Sequence, residues 1–471
     1  MCLKVSRWRD IQTIRSLFFV RKCDSWKVQL KHRPSTTSEN HDTPQPLALQ
    51  ALRLMYEARV ALLEMPTSER LIHLFWLSGP FILLVERTPA DIWLSLLALA
   101  FVIRSALKRD GAWLGFWWVR SCFLFLLVCI VSSLFSALPG YALQESLIWF
   151  RFPLFAMATV FWFAQDKRLL YAMLFSTGVG MMVMTGILTA EMIVEGQKGG
   201  RLTWPYNDLV PGNYLSKVGL PAFTVMVALA IGGSRKIAGL MALTSLITIV
   251  LSVLTGERIN FLIRACGGML AGLVWRPRLS RLLLLVLIEA AAVAAMFSLV
   301  EGLQSRFVAE VVSAIPTSSS SDYYRVMGAG LAAFHEAPLL GVGPAAFRDL
   351  CPDLVGHLAD FRCDNHPHNF YIQFLAETGV IGFFAGLLMI GSILFQTLVI
   401  GFRNRQNVVT ATAFIIPLGL FFPIASTGDF FGQWNNIFLW SAVALSLAAF
   451  NVVSQHDTEG PPARPIHKTT V

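Results

Sequence analysis

Long apolar stretches broken by short polar ones set the pattern of this chain. Runs able to cross a hydrocarbon core of roughly 30 Å recur about twelve times. They fall at residues 71–85, 91–107, 113–137, 145–164, 168–195, 213–232, 236–254, 259–275, 280–300, 370–400, 408–426 and 434–452. The first is short and carries Pro80. The pattern predicts an all-α polytopic membrane protein with about 12 transmembrane helices and one large, partly helical loop. Its parts are an N-terminal tail (1–70), nine spans (71–300), the loop (301–369), three spans (370–452) and a C-terminal tail (453–471).

Composition agrees, since 55% of residues are hydrophobic and only 14% charged, values that exclude an ordinary soluble domain. The net charge of +9 does not signal nucleic acid, because the basic residues form short clusters between apolar runs and no continuous stripe. Those clusters orient the chain instead. Lys108-Arg109, Lys167-Arg168, Arg235-Lys236, Arg276 to Arg281 and Arg403 to Arg405 occupy alternate loops, which assigns them, with both termini, to the cytoplasmic side. The other loops, Glu86–Asp91, Pro139–Glu145, Glu195–Asn213, Thr255–Arg258, Glu301–Pro367 and Ser426–Asn435, then face outward.

The tail before about His41 lacks an apolar core of signal-peptide length and reads as cytosolic and disordered, or as the product of a start placed too early, with Met55 or Met65 as alternatives. No CxxC pair is present, so a zinc ribbon is excluded. Cys351 and Cys363 share the long outer loop, where an oxidising compartment would allow a disulfide. In the same loop Ser321-Asp322 should cap a helix that ends near Pro338.

Arg201, Arg258 and Arg325 stand on the outer side, where a phosphate-bearing substrate would use the forked donors of guanidinium groups. Snorkelling, or pairing of Arg258 with Glu257, is the plainer reading of each. His366-Pro367-His368-Asn369 leads into the helix from Phe370. Proline at a helix start predicts His368 in the first turn, where the positive end of the helix dipole favours the neutral imidazole a general base needs. At 1.5 Å per residue the helix to Ile400 would be about 46 Å long, so its first turns should project above the lipid. A metal pair completed by Asp364 or Asp360, and an interfacial histidine pair without function, compete with the base reading. Gln373 and Glu377 would orient partners or bind sugar hydroxyls, or more simply be solvated residues of the helix start, and Gly341 and Gly343 would cradle an anion or merely form a turn.

With His368-Asn369 followed nine residues later by Gly379-x-x-Gly382, the chain resembles the O-antigen ligase and polymerase superfamily of bacterial envelope proteins. The Arg325 helix running into Pro338-Leu339-Leu340-Gly341-Val342-Gly343-Pro344, and Thr255-Gly256-Glu257-Arg258 opening a span, extend the likeness. It covers residues 195–400 in motif and 70–452 in topology. The resemblance implies an inner-membrane glycosyltransferase with a periplasmic active site, using neither metal nor other cofactor. It would move a glycan from undecaprenyl diphosphate to lipid A-core or to a growing glycan, with membrane lipids its surroundings and no nucleic acid involved. Arg258 and Arg325, and more loosely Arg201, would bind the diphosphate; His368 would activate the acceptor hydroxyl, supported by His366 and Asn369. Glu257-Arg258-Ile259-Asn260 departs from the small residues that often flank the arginine. Ligation is favoured over polymerisation, and a third activity of the superfamily joins glycans to proteins. A transporter of lipid-linked glycans is the rival from another class; it predicts in-span charges and inverted repeats, and Arg104 and Glu289 are the clearest such charges, with no repeat evident.

Overall fold

The computed structural model describes residues 47–208, 210–309, 321–356 and 360–453. The expected tails fall outside it for residues 1–46 and 454–471. Among the described residues there is no strand beyond a single bridge between Lys198 and Arg201. Helices satisfy their own backbone groups, which is what lipid demands.

Leu47–Leu63 forms α1, within the stretch expected to be an unstructured tail. Its Ala, Leu, Arg, Glu and Met residues are strong helix formers, which explains the difference. The first expected span is two short helices, α2 (Thr67–Leu77) and α3 (Gly79–Ile82), with Pro80 opening the second. Next come α4 (Arg87–Lys108), α5 (Trp117–Leu134), α6 (Pro139–Trp149), α7 (Arg151–Phe161) and α8 (Lys167–Val194). Helix α9 (Val210–Asn213) passes through a π turn at Tyr214–Val218 into α10 (Leu220–Gly232), bending the chain by 61°. Then follow α11 (Arg235–Leu254), α12 (Arg258–Val274) and α13 (Leu279–Leu299).

Among the described residues, eight helical segments are long and apolar enough to cross a membrane, and the bent pair makes nine. Three of the twelve expected spans fall short of that length. Residues 71–85 are broken at Ser78–Gly79, α12 has 17 residues and carries Arg258 and Arg264, and residues 408–426 hold α17 (Val408–Thr412) and α18 (Ile415–Leu420). The fold is nonetheless all-α and polytopic, as its pattern predicts.

The long loop folds into α14 (Asp322–Glu336), whose Ser321 hydroxyl accepts the Tyr324 N–H, and α15 (Phe347–Val355). Cys351 and Cys363 are joined by a disulfide, their Cα atoms 5.8 Å apart. Helix α16 (Phe370–Arg403) does not run straight. Gly379, at φ 64°, ψ −169°, breaks it into an outer piece and a crossing piece of about 36 Å at 1.5 Å per residue. The turn from Pro338 to Gly343 fits into the break: Val380 N–H donates to Pro338 O (2.9 Å) and Ile381 N–H to Leu339 O (3.3 Å). In return Val342 and Gly343 N–H donate to Ala376 and Glu377 O, each at 2.9 Å. Approach is so close that a Cβ on Gly379 would lie 2.3 Å from the Leu339 carbonyl carbon, and one on Gly341 2.3 Å from that of Glu377. The chain ends its described course in α19 (Gln433–Ala448), one of the most deeply buried helices.

Candidate active site

A cavity of about 860 Å³ opens where the helices' loops converge at one end. Its walls come from five of the six loops expected to face outward: Arg87, Arg201 and Asp208, Gly256 to Arg258, Arg306 with Arg348 and Asn365 to His368, and Ser426 to Asn435. Six cationic side chains line it, Arg87, Arg201, Lys217, Arg258, Arg306 and Arg348, against three carboxylates, Asp208, Glu257 and Asp429. Apolar residues, among them Leu262, Ile263, Leu420, Ile424, Phe438 and Leu439, form another part of the wall.

Local folding places each cation. Lys198 and Arg201 exchange backbone hydrogen bonds (3.0 and 3.2 Å) across Gly199 and Gly200, both at positive φ. This two-residue hairpin requires glycines, and it sets Arg201 at the rim. Arg258 opens α12, its Nη1 donating to Arg306 O at 3.4 Å, while Arg306 Nε donates to Gly256 O at 2.8 Å. Lys217 belongs to the π turn and donates to Asn435 Oδ1. Arg264, fully buried in α12, donates to Leu215 O at 2.7 Å, bracing that turn from below. Arg348 donates to Asp429 at 2.5 Å, and Arg87 to Gln433 at 2.6 Å.

Glu257 sits half-buried at the cavity wall among Lys217, Arg201, Asn213 and Asn260. Burial outweighs the attraction of those cations and pushes its pKa up to about 8, so near neutrality the carboxyl is largely protonated.

His368 lies at φ 57°, just ahead of Asn369, which caps α16 by accepting the Tyr371 and Ile372 N–H groups at 3.0 and 3.2 Å. The imidazole thus precedes the helix and does not occupy its first turn, because Asn369 is the better cap. His368 Nε2 is 3.3 Å from Asp364 Oδ2, and its ring meets that of Tyr323 edge-on. Burial alone would raise Asp364, but the Asn365 N–H, Arg362 and His368 together hold it below the usual carboxylate range. His366, with its ring centre 4.4 Å from that of His368, binds Thr427 O through Nε2 at 3.0 Å. Burial and the neighbouring His368 lower its pKa, so His366 stays neutral and its Nε2 carries the proton given to the carbonyl.

Several sequence expectations end elsewhere. Arg325 does not line the cavity, although Tyr323 and Met327 on the same helix do. Those two are four residues apart and share a face, whereas Arg325 is two from each and so lies about 200° round. Gly341 and Gly343 cradle no anion, since their N–H groups are taken by Ala337 O (2.8 Å) and Glu377 O (2.9 Å). Glu377 is buried, accepts from Ala345 N–H (3.1 Å) and Gln373 Nε2 (3.0 Å), and does not line the cavity. Asn369 positions backbone, donating also to Pro423 O at 2.7 Å. Among the described residues, no three His, Cys, Asp or Glu side chains are grouped to hold a metal ion, so His366 and His368 lack a third ligand there.

Lys217, Arg87, Arg306, Arg348 and the Ser426–Asn435 loop went unmarked in the sequence. Lys217 did carry a signal, as a lone charge in an apolar run. Arg348 and Asp429 carried none, because nothing local says that 81 positions apart they form a pair.

Residues 222–387, from α10 to the crossing piece of α16, match the family model described as O-antigen ligase. No curated protein matches the chain.

Proposed function

From the premise that this chain carries an O-antigen ligase domain of the ligase and polymerase superfamily, we propose that it transfers a glycan from undecaprenyl diphosphate to a lipid A-core acceptor at the periplasmic face of the inner membrane. The observation that carries this reading is the cavity itself, six cations beside a histidine pair with an apolar wall adjoining. A lipid diphosphate needs all three features. Arg201, Arg258, Arg306 and Lys217 would hold the diphosphate, and the apolar wall would take the start of the prenyl chain.

In the transfer step an acceptor hydroxyl oxygen attacks the anomeric carbon, and the bond from that carbon to the phosphate oxygen breaks. The electron pair leaves with undecaprenyl diphosphate, whose growing negative charge the cations stabilise. The hydroxyl proton passes to His368. With Nε2–H turned to Asp364, the free lone pair is on Nδ1, and the Asp364 carboxylate then stabilises the imidazolium. His366, held neutral, adds no opposing charge.

Purified protein supplied with undecaprenyl-diphosphate glycan and lipid A-core should form glycan-bearing lipid A. A longer lipid-linked glycan as the product, with lipid A-core untouched, would replace ligation by polymerisation. Movement of donor between leaflets without any glycosidic bond would replace both by transport.

A further inference from the structure

Helix α4 bridges two cavities. Arg87 at its start lines the cationic one, and Arg104, about 26 Å further along at 1.5 Å per residue, lines a second of about 500 Å³. Glu69, His73, Trp162, Gln165, Asp166, Lys167 and Arg168 complete its polar lining, where α2 and α8 begin and α4 and α7 end. This is the end of the bundle that bears the basic loops Lys108-Arg109 and Lys167-Arg168.

Arg104 is the group left to be explained. Its Nε and Nη1 are shut off from solvent and find no hydrogen-bond acceptor among the described residues. The guanidinium lies 5.2 Å from the centre of the Trp162 ring, which offers a π face but no lone pair. The carboxylates nearby accept their hydrogen bonds from other groups, and Glu69 attracts Arg104 only through space. Glu69 accepts from Lys108 at 2.9 Å, and Asp166 holds Arg168 through its N–H at 2.8 Å and its Nη2 at 2.7 Å. Arg104 is half-buried, and two guanidinium nitrogens closed to solvent without an acceptor are costly, so the site leaves place for an acceptor the chain does not supply. Phosphate oxygens match that fork. Beside the cavity, Leu71, Leu74 and Phe75 of α2 are exposed by 62, 45 and 36%, an apolar lane of the kind acyl chains lie along. Basic pockets between helix ends on the side of the basic loops are where anionic headgroups lodge.

We propose that this second cavity binds a phosphate group, carried by a membrane phospholipid, with Arg104 as its principal contact. The site is separate from glycan transfer and does not depend on that reading.

The test measures thermal unfolding of the purified full chain in detergent with phosphatidylglycerol, and separately with inorganic phosphate, for the parent, Arg104→Gln and Arg104→Lys. Phosphatidylglycerol should raise the parent's Tm by several degrees, Arg104→Lys, which keeps the charge without the fork, should keep part of the rise and Arg104→Gln should lose most of it. The cationic cavity is intact in all three, so the difference reports on this site alone. An equal Arg104-dependent rise with inorganic phosphate would keep the phosphate site but make the free anion its source; a rise with the lipid only assigns the phospholipid. An unchanged response in Arg104→Gln overturns the proposal. If that variant does not fold, the parent can be cross-linked with a headgroup-photolabelled phosphatidylglycerol. Label on residues 69–73 or 162–168 supports the site, and its absence there overturns it.

Discussion

Two titrating residues give the candidate active site its expected pH behaviour. Glu257, held near 8 by burial, is largely neutral at pH 7 and ionises above it, placing a negative charge beside Arg201 and Lys217. Apparent affinity for the diphosphate donor should therefore weaken as pH rises through about 8, and Glu257→Gln should flatten that loss in a binding titration between pH 6.5 and 9. His366 acts at the other side of neutrality. Its folded pKa lies below the ordinary 6.5, so the unfolded chain takes the proton more readily and stability falls as pH drops below 6.5. His366→Gln, which can still donate to Thr427 O, should show a smaller drop in Tm between pH 7.5 and 5. The sequence made His368, Arg201 and Arg258 legible because charged or histidine residues stand out between apolar runs. Arg325 stands out in the same way but does not line the cavity, since two positions along a helix, about 200°, decide which side a residue faces.

At the scale of elements, the crossing of the Pro338–Gly343 turn with the break in α16 holds the histidine segment against the wall. Gly379→Ala would put a side chain at φ 64° and a Cβ 2.3 Å from the Leu339 carbonyl carbon. The backbone conformation alone costs about 1–3 kcal/mol, and the clash adds to it, so the variant should unfold at a visibly lower Tm and lose transfer activity. Gly391→Ala, at a position with open space, is the control. The Cys351–Cys363 disulfide closes a short loop between α15 and the histidine segment. Replacing both cysteines by serine should cost roughly 3 kcal/mol on a chain-entropy argument, measured by denaturant or thermal unfolding. Apolar periodicity made the long helices readable, and the N-cap at Ser321 too. The breaks at Gly379 and the π turn were not, because each is fixed by a partner distant in sequence, such as Arg264 under Leu215 or Leu339 against Gly379.

For the molecule as a whole, the cavity collects residues from one set of alternate loops, and the second cavity lies at the end with the basic ones. Loop charge alone separated those two sets, so the end that holds the large cavity was distinguishable in the sequence before any site was. Reporter fusions after Asn435 and after Arg278 should read as periplasmic and cytoplasmic respectively; the reverse result would turn the proposed reaction to the wrong face. The central claim is that the cations of the large cavity and His368 carry out glycan transfer. It is tested most directly by the rate of lipid A-core glycosylation in proteoliposomes for the parent, Arg258→Ala and His368→Ala, each first shown to be folded. The account predicts losses on the order of 10²–10⁴-fold for His368→Ala and 10²–10³-fold for Arg258→Ala. Transfer at the parent's rate by both variants would contradict it.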